Sequence, residues 1–240
     1  MKLGFISDLH LSEKTPVTTQ GFFNFLKEAA REFTHLYILG DLFEAWIGDD
    51  DDSEFALEVI KQLKLSTQNG LEIFFIHGNR DFLCNQTFAK KSNITILPDP
   101  FFIDYFDQKI ALSHGDNFCT NDLEYIKFKK KVRSASWQSD FLKRPLHERL
   151  EIASNMRDAS QNHNNRKDMS IMDVTSDAIH QFFMQHKIDI LIHGHTHRPA
   201  THQVDGSKLS GTRIVLGDWH DTGWCLILDG QERKLEEFQL

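Results

Sequence analysis

Cysteine is scarce and scattered in this chain. Cys84, Cys119 and Cys225 are odd in number, widely spaced and without a Cys-x-x-Cys pair. A disulfide framework and a thiolate zinc site are therefore not expected, and a reducing compartment fits. Long apolar runs are missing too: none approaches the roughly 20 residues that a membrane-spanning helix needs. The opening stretch, Met1-Lys2-Leu3-Gly4-Phe5-Ile6-Ser7-Asp8, meets an aspartate too early for the apolar region of a signal peptide. A cytoplasmic protein is the expectation, with peripheral membrane contact left open. Positive charge is in deficit, at 27 Lys and Arg against 35 Asp and Glu, a formal net charge of −8. That balance speaks against a dedicated nucleic-acid binder, and against a nuclease. There is no internal repeat and no low-complexity linker. No Ser/His/Asp or Cys/His hydrolase motif stands out, and Ser113 beside His114 is adequately explained by the ligand set described below.

What is present suits an ordinary globular α/β chain. At 240 residues, with 40% hydrophobic and 26% charged, it is long enough for one large domain, or one with a modest insertion. Short apolar runs read as buried strands at Leu3–Ile6, Leu36–Leu39, Ile73–Ile76, Lys109–Ser113 and Ile190–Ile192, with closing strands at Ile214–Leu216 and Trp224–Leu228. Phe22, Phe23, Leu26, Ala29, Ala30 and Phe33 recur at helical spacing, as do Phe55, Val59, Ile60 and Leu63. Asn69-Gly70 is a turn, and Pro98 and Pro100 mark a loop. Asp49 to Asp52 read as a solvated acidic loop or a helix N-terminus. A helix is expected to start near Asp81.

Chemistry gathers where the strands end. Asp8 and His10 follow the first, Gly40-Asp41 the second, Gly78-Asn79 the third, His114-Gly115 the fourth, and Gly194-His195-Thr196-His197 the fifth. If strand geometry persists into these turns, period two points Asp8 and His10 to one side, and His195 and His197 likewise. Four of the five ends carry a glycine, which permits tight turns and close backbone approach. Ligands of α/β folds collect beyond the carboxyl ends of strands. Seven oxygen and nitrogen donors converging there without thiolates argue for two divalent metals, with Mn²⁺, Fe²⁺ or Zn²⁺ suited and the oxygen share favouring Mn²⁺. Two such ions about 3.5–4 Å apart share a carboxylate. Asp41, alone on its strand end, is the natural bridge.

Residues 121–170 differ from the remainder. They hold eleven basic and seven acidic residues, so the segment is +4 while the rest of the chain is −12. Tyr125, Ile126, Phe128, Trp137, Phe141, Leu142, Leu146, Leu150, Ile152 and Met156 interleave with the charges. A salt-bridged surface helix pair would explain this. So would a basic, amphipathic cap over the site, binding an anionic and greasy substrate at a membrane surface.

The ordered set Asp-x-His, Gly-Asp, Gly-Asn, His, Gly-His-x-His resembles the calcineurin-like metallophosphoesterases over nearly the whole chain. The resemblance implies a four-layer α/β/β/α sandwich, here one domain over 1–240 with a helical cap insertion at 121–170. It also implies one metal on Asp8, His10, Asp41 and His197, and a second on Asp41, Asn79, His114 and His195. Three stretches resemble the branch of this family that serves lipid A biosynthesis: Leu39 to Asp50, Ile76 to Phe82, and Ile192 to Pro199. Met169 to Val174 looks similar to the same branch. The implied reaction is hydrolysis of the pyrophosphate of UDP-2,3-diacylglucosamine at the α-phosphorus, giving UMP and 2,3-diacylglucosamine 1-phosphate. The place implied is the cytoplasmic face of the inner membrane, with no obligate protein partner. Asn79, Arg80, Asp122, Ser160, Asn164, Lys167 and His195 are the implied substrate contacts. Trp46, Phe82, Tyr125, Phe128, Phe141 and Met156 are candidates for an acyl-chain groove, with core packing as the competing reading.

One departure from the wider family carries chemical content. The usual motif is Gly-Asn-His, whose histidine is often assigned as proton donor to a leaving alkoxide. Arg80 stands there instead, and a guanidinium does not give up a proton at neutral pH. It clamps phosphate oxygens and offsets transition-state charge, which suits a leaving group that is itself a phosphate. Asn79, Arg80 and His195 are thus the catalytic candidates beside the metals. Two alternatives stand: a nucleotide pyrophosphatase or phosphodiesterase acting on soluble substrates, and a catalytically silent scaffold. The scaffold would tolerate ligand loss, yet every ligand position is filled.

Overall fold

The computed structural model describes residues 1–164, 171, 173–206 and 209–240. Among the described residues, eleven strands build two sheets. The first sheet runs β11 (Glu232–Gln239), β10 (Thr222–Asp229), β1 (Lys2–Ile6), β2 (His35–Ile38), β3 (Glu72–Ile76), β4 (Thr95–Leu97). The second runs β5 (Phe101–Tyr105), β6 (Gln108–Ser113), β7 (Ile190–His193), β9 (Leu209–Val215), β8 (Ala200–Gly206). β1 to β4 pair in parallel, as do β6, β7 and β9; antiparallel strands close both sheets.

Alternation along each central strand explains the layering. Leu3 and Phe5 of β1, Ile110 and Leu112 of β6, and Ile190 and Ile192 of β7 meet in one core between the sheets. Ile6 of β1 and Ile38 of β2 face a second core beneath α1 (Pro16–Glu32), α2 (Glu54–Gln68) and α3 (Gln86–Ser92). Ala111 and Leu191 face a third, under Ile179 and Phe183 of α7 (Ser176–His186). The central strands are buried on both sides, so their near-continuous apolar runs follow from the position they occupy. Each fully buried Leu, Ile or Phe contributes about 1.5–3 kcal/mol. The result is two mixed sheets flanked by helices.

The helices start where local chemistry permits. Pro16 opens α1, and Phe22, Leu26 and Ala29 form its buried stripe. Ser53 caps α2 by accepting from the Ala56 amide at 3.2 Å. Between β6 and α7 the chain forms a 3₁₀ turn at Asp116–Phe118, then α4 (Leu123–Val132), α5 (Ala135–Leu142) and α6 (Leu146–Asn164).

Three expectations change. Asp81 opens no helix: α3 starts at Gln86, and the buried Asp81 carboxylate accepts from the amides of Gly78 (2.8 Å), Leu42 (2.7 Å) and Phe43 (3.4 Å). It ties the loops after β2 and β3 together, and burial, with Asp41 nearby, pushes its pKa up to about 7. Asp49 and Asp50 do not form a merely solvated run. Asp49 accepts from the Trp46 indole and from the amides of Asn85 and Phe88, and Asp50 pairs with the buried Arg149 of α6. Finally, four strands go unread in the sequence: β4, β5, β8 and β11.

Candidate metal centre

β1, β2, β3, β6 and β7 all end at one rim, and the seven donors come together there. Strand geometry does not persist into the turns. β1 stops at Ile6 and β7 at His193. Asp8, His10, Asp41, His195 and His197 have φ of 57°, 50°, 52°, 69° and 55°. That left-handed region costs a non-glycine residue about 1–2 kcal/mol. Five of the seven donors are held in it, a concentration typical of functional sites. Backbone bonds hold the turns, from the Asp8 amide to Gly40 O (3.1 Å) and from the His10 amide to Asp41 O (3.0 Å). Left-handed turns, and not pleat alternation, therefore aim these side chains. The glycines serve close approach: a Cβ on Gly78 would lie 2.1 Å from Asp41 Oδ1, and one on Gly194 would lie 2.2 Å from Asp8 Oδ2.

Two groups of donor atoms result, Asp8 with His10 and His197, and Asp8 with Asp41 and His114. Asp41 Oδ2 lies between the halves, 4.0 Å from His10 Nε2 and 3.8 Å from His114 Nε2. Its Oδ1 accepts from the Arg80 amide at 2.8 Å. Asp8 shares the central position, since it belongs to both groups. Its Oδ2 accepts from Ser7 Oγ (2.6 Å) and the His195 amide (2.9 Å), while buried Oδ1 has no hydrogen bond among the described residues. Asn79 Oδ1 lies 2.9 Å from His114 Nε2 and 3.0 Å from His195 Nδ1.

The donor sets fit divalent cations because carboxylate, amide and imidazole donor atoms converge with the outer nitrogens of His114 and His197 held by acceptors. His114 Nδ1 lies 2.9 Å from Leu39 O, an acceptor, so Nδ1 bears the hydrogen. In the neutral ring Nε2 then directs a lone pair at Asn79 Oδ1, itself an acceptor. His197 Nδ1 lies 3.3 Å from Asp218 Oδ2, which leaves its Nε2 to face Asp8 Oδ1 at 3.4 Å and His10 Nε2 at 3.4 Å. A cation between such atoms takes up these lone pairs once the rings are neutral. The surrounding carboxylates favour positive charge there: against the lowering effect of burial, Asp41, Asp8 and Asp116 raise the His114 pKa to about 9, so without an ion the ring holds a proton that a metal would displace. Against the same effect, Asp218 and Asp8 raise that of His197 to about 10. Burial works to raise the Asp8 pKa, yet His197, His114 and His10 hold it well below the usual range. Burial, reinforced by His114, lowers that of His195 to about 4.

Around the donors, Arg80 has its Nε 3.9 Å from Asp41 Oδ2 and its Nη1 4.0 Å from Glu44 Oε1. Asp122 is buried and caps α4, accepting from the Tyr125 amide at 3.0 Å. Ser160 is half-buried on α6; the Asn164 side chain and Lys167 lie outside the described residues. Trp46 and Phe141 are buried, Trp137 stacks on Phe141 at 4.8 Å, and Phe82 lies under the Arg133 guanidinium at 5.0 Å. Tyr125 donates to Asp116 at 2.6 Å, its ring 5.9 Å from that of His195. Two polar residues were not singled out from sequence, Glu44 and Asp218, which lie against His10 and His197. Asp218 follows a glycine just beyond an apolar strand, the same signature as Gly40-Asp41, and that signal could have found it.

Two mixed sheets presenting a carboxylate, amide and imidazole cluster at one rim define a metal-dependent phosphoesterase. The chain belongs to the calcineurin-like phosphoesterase family, whose model matches residues 1–199. It is 46% identical over 222 residues to a Cellvibrio japonicus protein named UDP-2,3-diacylglucosamine hydrolase, covering 92% of each chain. It is 44% and 45% identical to proteins of the same name from Pectobacterium carotovorum and Serratia proteamaculans, covering 98% of each chain. An archaeal phosphodiesterase of solved structure, 16% identical and covered fully in both directions, shares the fold at a TM-score of 0.52.

Proposed function

We propose that this chain hydrolyses the pyrophosphate of UDP-2,3-diacylglucosamine at the α-phosphorus. Water adds to that phosphorus and the bond to the bridging oxygen breaks. The products are UMP and 2,3-diacylglucosamine 1-phosphate, with a proton released. The converging donor atoms of His114, Asn79, His197, His10 and Asp8 carry the metal reading, and the name and near-complete coverage of the relatives support the substrate.

In this reading Asp8, His10, Asp41 and His197 hold one divalent ion, and Asp41, Asn79, His114 and His195 a second. Mn²⁺ is favoured by the share of oxygen donors. Such ions supply an acidified water and positive charge against phosphoryl oxygens. Arg80 binds the same oxygens and offsets charge that grows as the bond breaks. Because the leaving group is a phosphate, Arg80 needs to give up no proton. His195 and Asn79 orient the α-phosphate beside their ligand roles. Asp218 and Leu39 O hold the tautomers of His197 and His114.

The whole chain acts as one domain, with 121–170 as a cap over the centre. Contacts from this segment support that: Arg149 and Arg157 of α6 reach Asp50 and Glu44, and Arg133 donates to Gly78 O at 2.8 Å. Asp122, Ser160, Asn164 and Lys167 contact the substrate. Membrane contact at the cytoplasmic face of the inner membrane is supported by α4. There Leu123, Ile126 and Phe128 are 64%, 40% and 42% exposed beside exposed Lys127, Lys130 and Lys131. No helix among the described residues is long and apolar enough to cross a membrane.

The test is UMP release with Mn²⁺ added, from UDP-2,3-diacylglucosamine in detergent and separately from a soluble UDP-sugar. Release from the lipid alone is expected. Release from both would reduce the reading to a general nucleotide pyrophosphatase. No release from either, with metal bound, would sink the substrate assignment.

A further inference from the structure

Glu44 joins three cationic or ligating groups of the centre. Its backbone is anchored, with the amide donating to Leu11 O at 3.0 Å. Its side chain is 29% exposed. Oε2 lies 3.3 Å from His10 Nδ1, while Oε1 pairs with Arg157 Nε from α6 and lies 4.0 Å from Arg80 Nη1. His10 Nδ1 is buried and makes no hydrogen bond of good geometry among the described residues, so Glu44 is the carboxylate within ion-pair reach of it.

The tautomer of His10 decides what its other nitrogen can do. Nε2 is the atom turned inward, 3.4 Å from His197 Nε2 and 4.0 Å from Asp41 Oδ2. Only a ring that carries its hydrogen on Nδ1 presents a lone pair there, and a carboxylate beside Nδ1 selects that form. We infer that Glu44 is a positioning residue: one oxygen sets the Nδ1–H tautomer of His10, and the other keeps Arg80 and Arg157 side by side, joining α6 to the centre. A neutral residue at position 44 would leave His10 free to turn its N–H inward. This rests on the metal reading of the site.

The experiment is a titration of metal-free protein with Mn²⁺ alone, for wild type, Glu44→Ala and Arg157→Ala. Glu44→Ala is expected to bind about 10–100-fold more weakly, and Arg157→Ala to stay within about twofold of wild type, because a helix contact alone does not set a tautomer. Equal binding by wild type and Glu44→Ala overturns the inference while the metal reading survives. So does an Arg157→Ala loss as large as that of Glu44→Ala, which would reduce Glu44 to a helix anchor. A wild type that takes up no Mn²⁺ sinks the metal reading and this inference with it. A second measurement needs no Glu44 variant: long-range ¹⁵N–¹H NMR of His10 in the metal-free wild type. The Nδ1–H form is expected, and the Nε2–H form overturns the assignment.

Discussion

Arg80 is the residue whose chemistry most narrows the reaction. Its guanidinium sits between Asp41 and Glu44, beside the donors and not among them. Arg80→Ala should lower kcat by about 10²–10³-fold, in line with loss of one preorganised transition-state donor, with bound metal near the wild-type level by elemental analysis. Normal turnover would remove Arg80 from the mechanism; lost metal would make it a support of Asp41. Gly78 makes the complementary case. A methyl there would fall 2.1 Å from Asp41 Oδ1 and 2.3 Å from the Asp41 amide nitrogen, which are parts of a buried turn and not a flexible tip. Gly78→Ala should therefore lower Mn²⁺ affinity and the melting temperature together. A variant that keeps both would show that Asp41 has room to move. Both residues stand out in the sequence, as a departure from a familiar motif and as a glycine touching a ligand. Glu44 does not, because a carboxylate that orients a histidine matters through where it sits, and spacing along the chain does not report that. Asp218 carries only the glycine-aspartate signature after a strand, which does not say which histidine it faces.

At the scale of elements, α6 is fastened by its arginines. Arg149 is 2% exposed and donates to Ile47 O at 2.7 Å and to Asp50, whose side chain is 62% exposed. The Arg149 hydrogen bond holds the Asp50 carboxyl below its ordinary value, so the pair stabilises the fold once Asp50 is ionised. The sign follows from a depressed carboxylate. The contribution is full above the unfolded value of about 3.9 and is lost as pH falls through the lower folded value. Solvent screening on the Asp50 side keeps it to about 1 kcal/mol or less. Denaturant unfolding of wild type and Asp50→Asn should differ by that amount at neutral pH and converge in acid. A gap that persists in acid would mean that the carboxylate charge is not its source. Part of the basic excess of residues 121–170 is thus structural, since Lys129, Arg149 and Arg157 are committed to Asp116, Asp50 and Glu44.

At the scale of the molecule, the remaining exposed lysines of α4 bear on where the protein works. Replacing Lys127, Lys130 and Lys131 by Glu should weaken flotation with anionic vesicles, by about 1 kcal/mol for each charge removed near the surface. The difference should shrink as salt is raised. Binding unchanged by all three replacements would take α4 out of membrane contact.

The chain alone determined its central strands, α1 and α2, and the candidate donors at the strand ends, while α7 went unread. A strand buried on both faces has to be apolar, and a donor at its end has to be a recognisable residue type. All four strands left unread are sheet edges: β11 and β4 in one sheet, β5 and β8 in the other. An edge strand is defined by the neighbour whose amides it pairs with. Sequences such as Glu232–Gln239, largely exposed or half-buried, need show no alternation. The tertiary structure alone decided how the donors point. Period two placed Asp8 beside His10, as the fold does, but through a pleat that is not there. It put His195 and His197 on one side, where the fold turns them to different neighbours, His195 to Asn79 and His114 and His197 to Asp8 and His10. Left-handed turns, stitched by hydrogen bonds between loops far apart in sequence, aim those side chains, and only the folded chain brings such loops together.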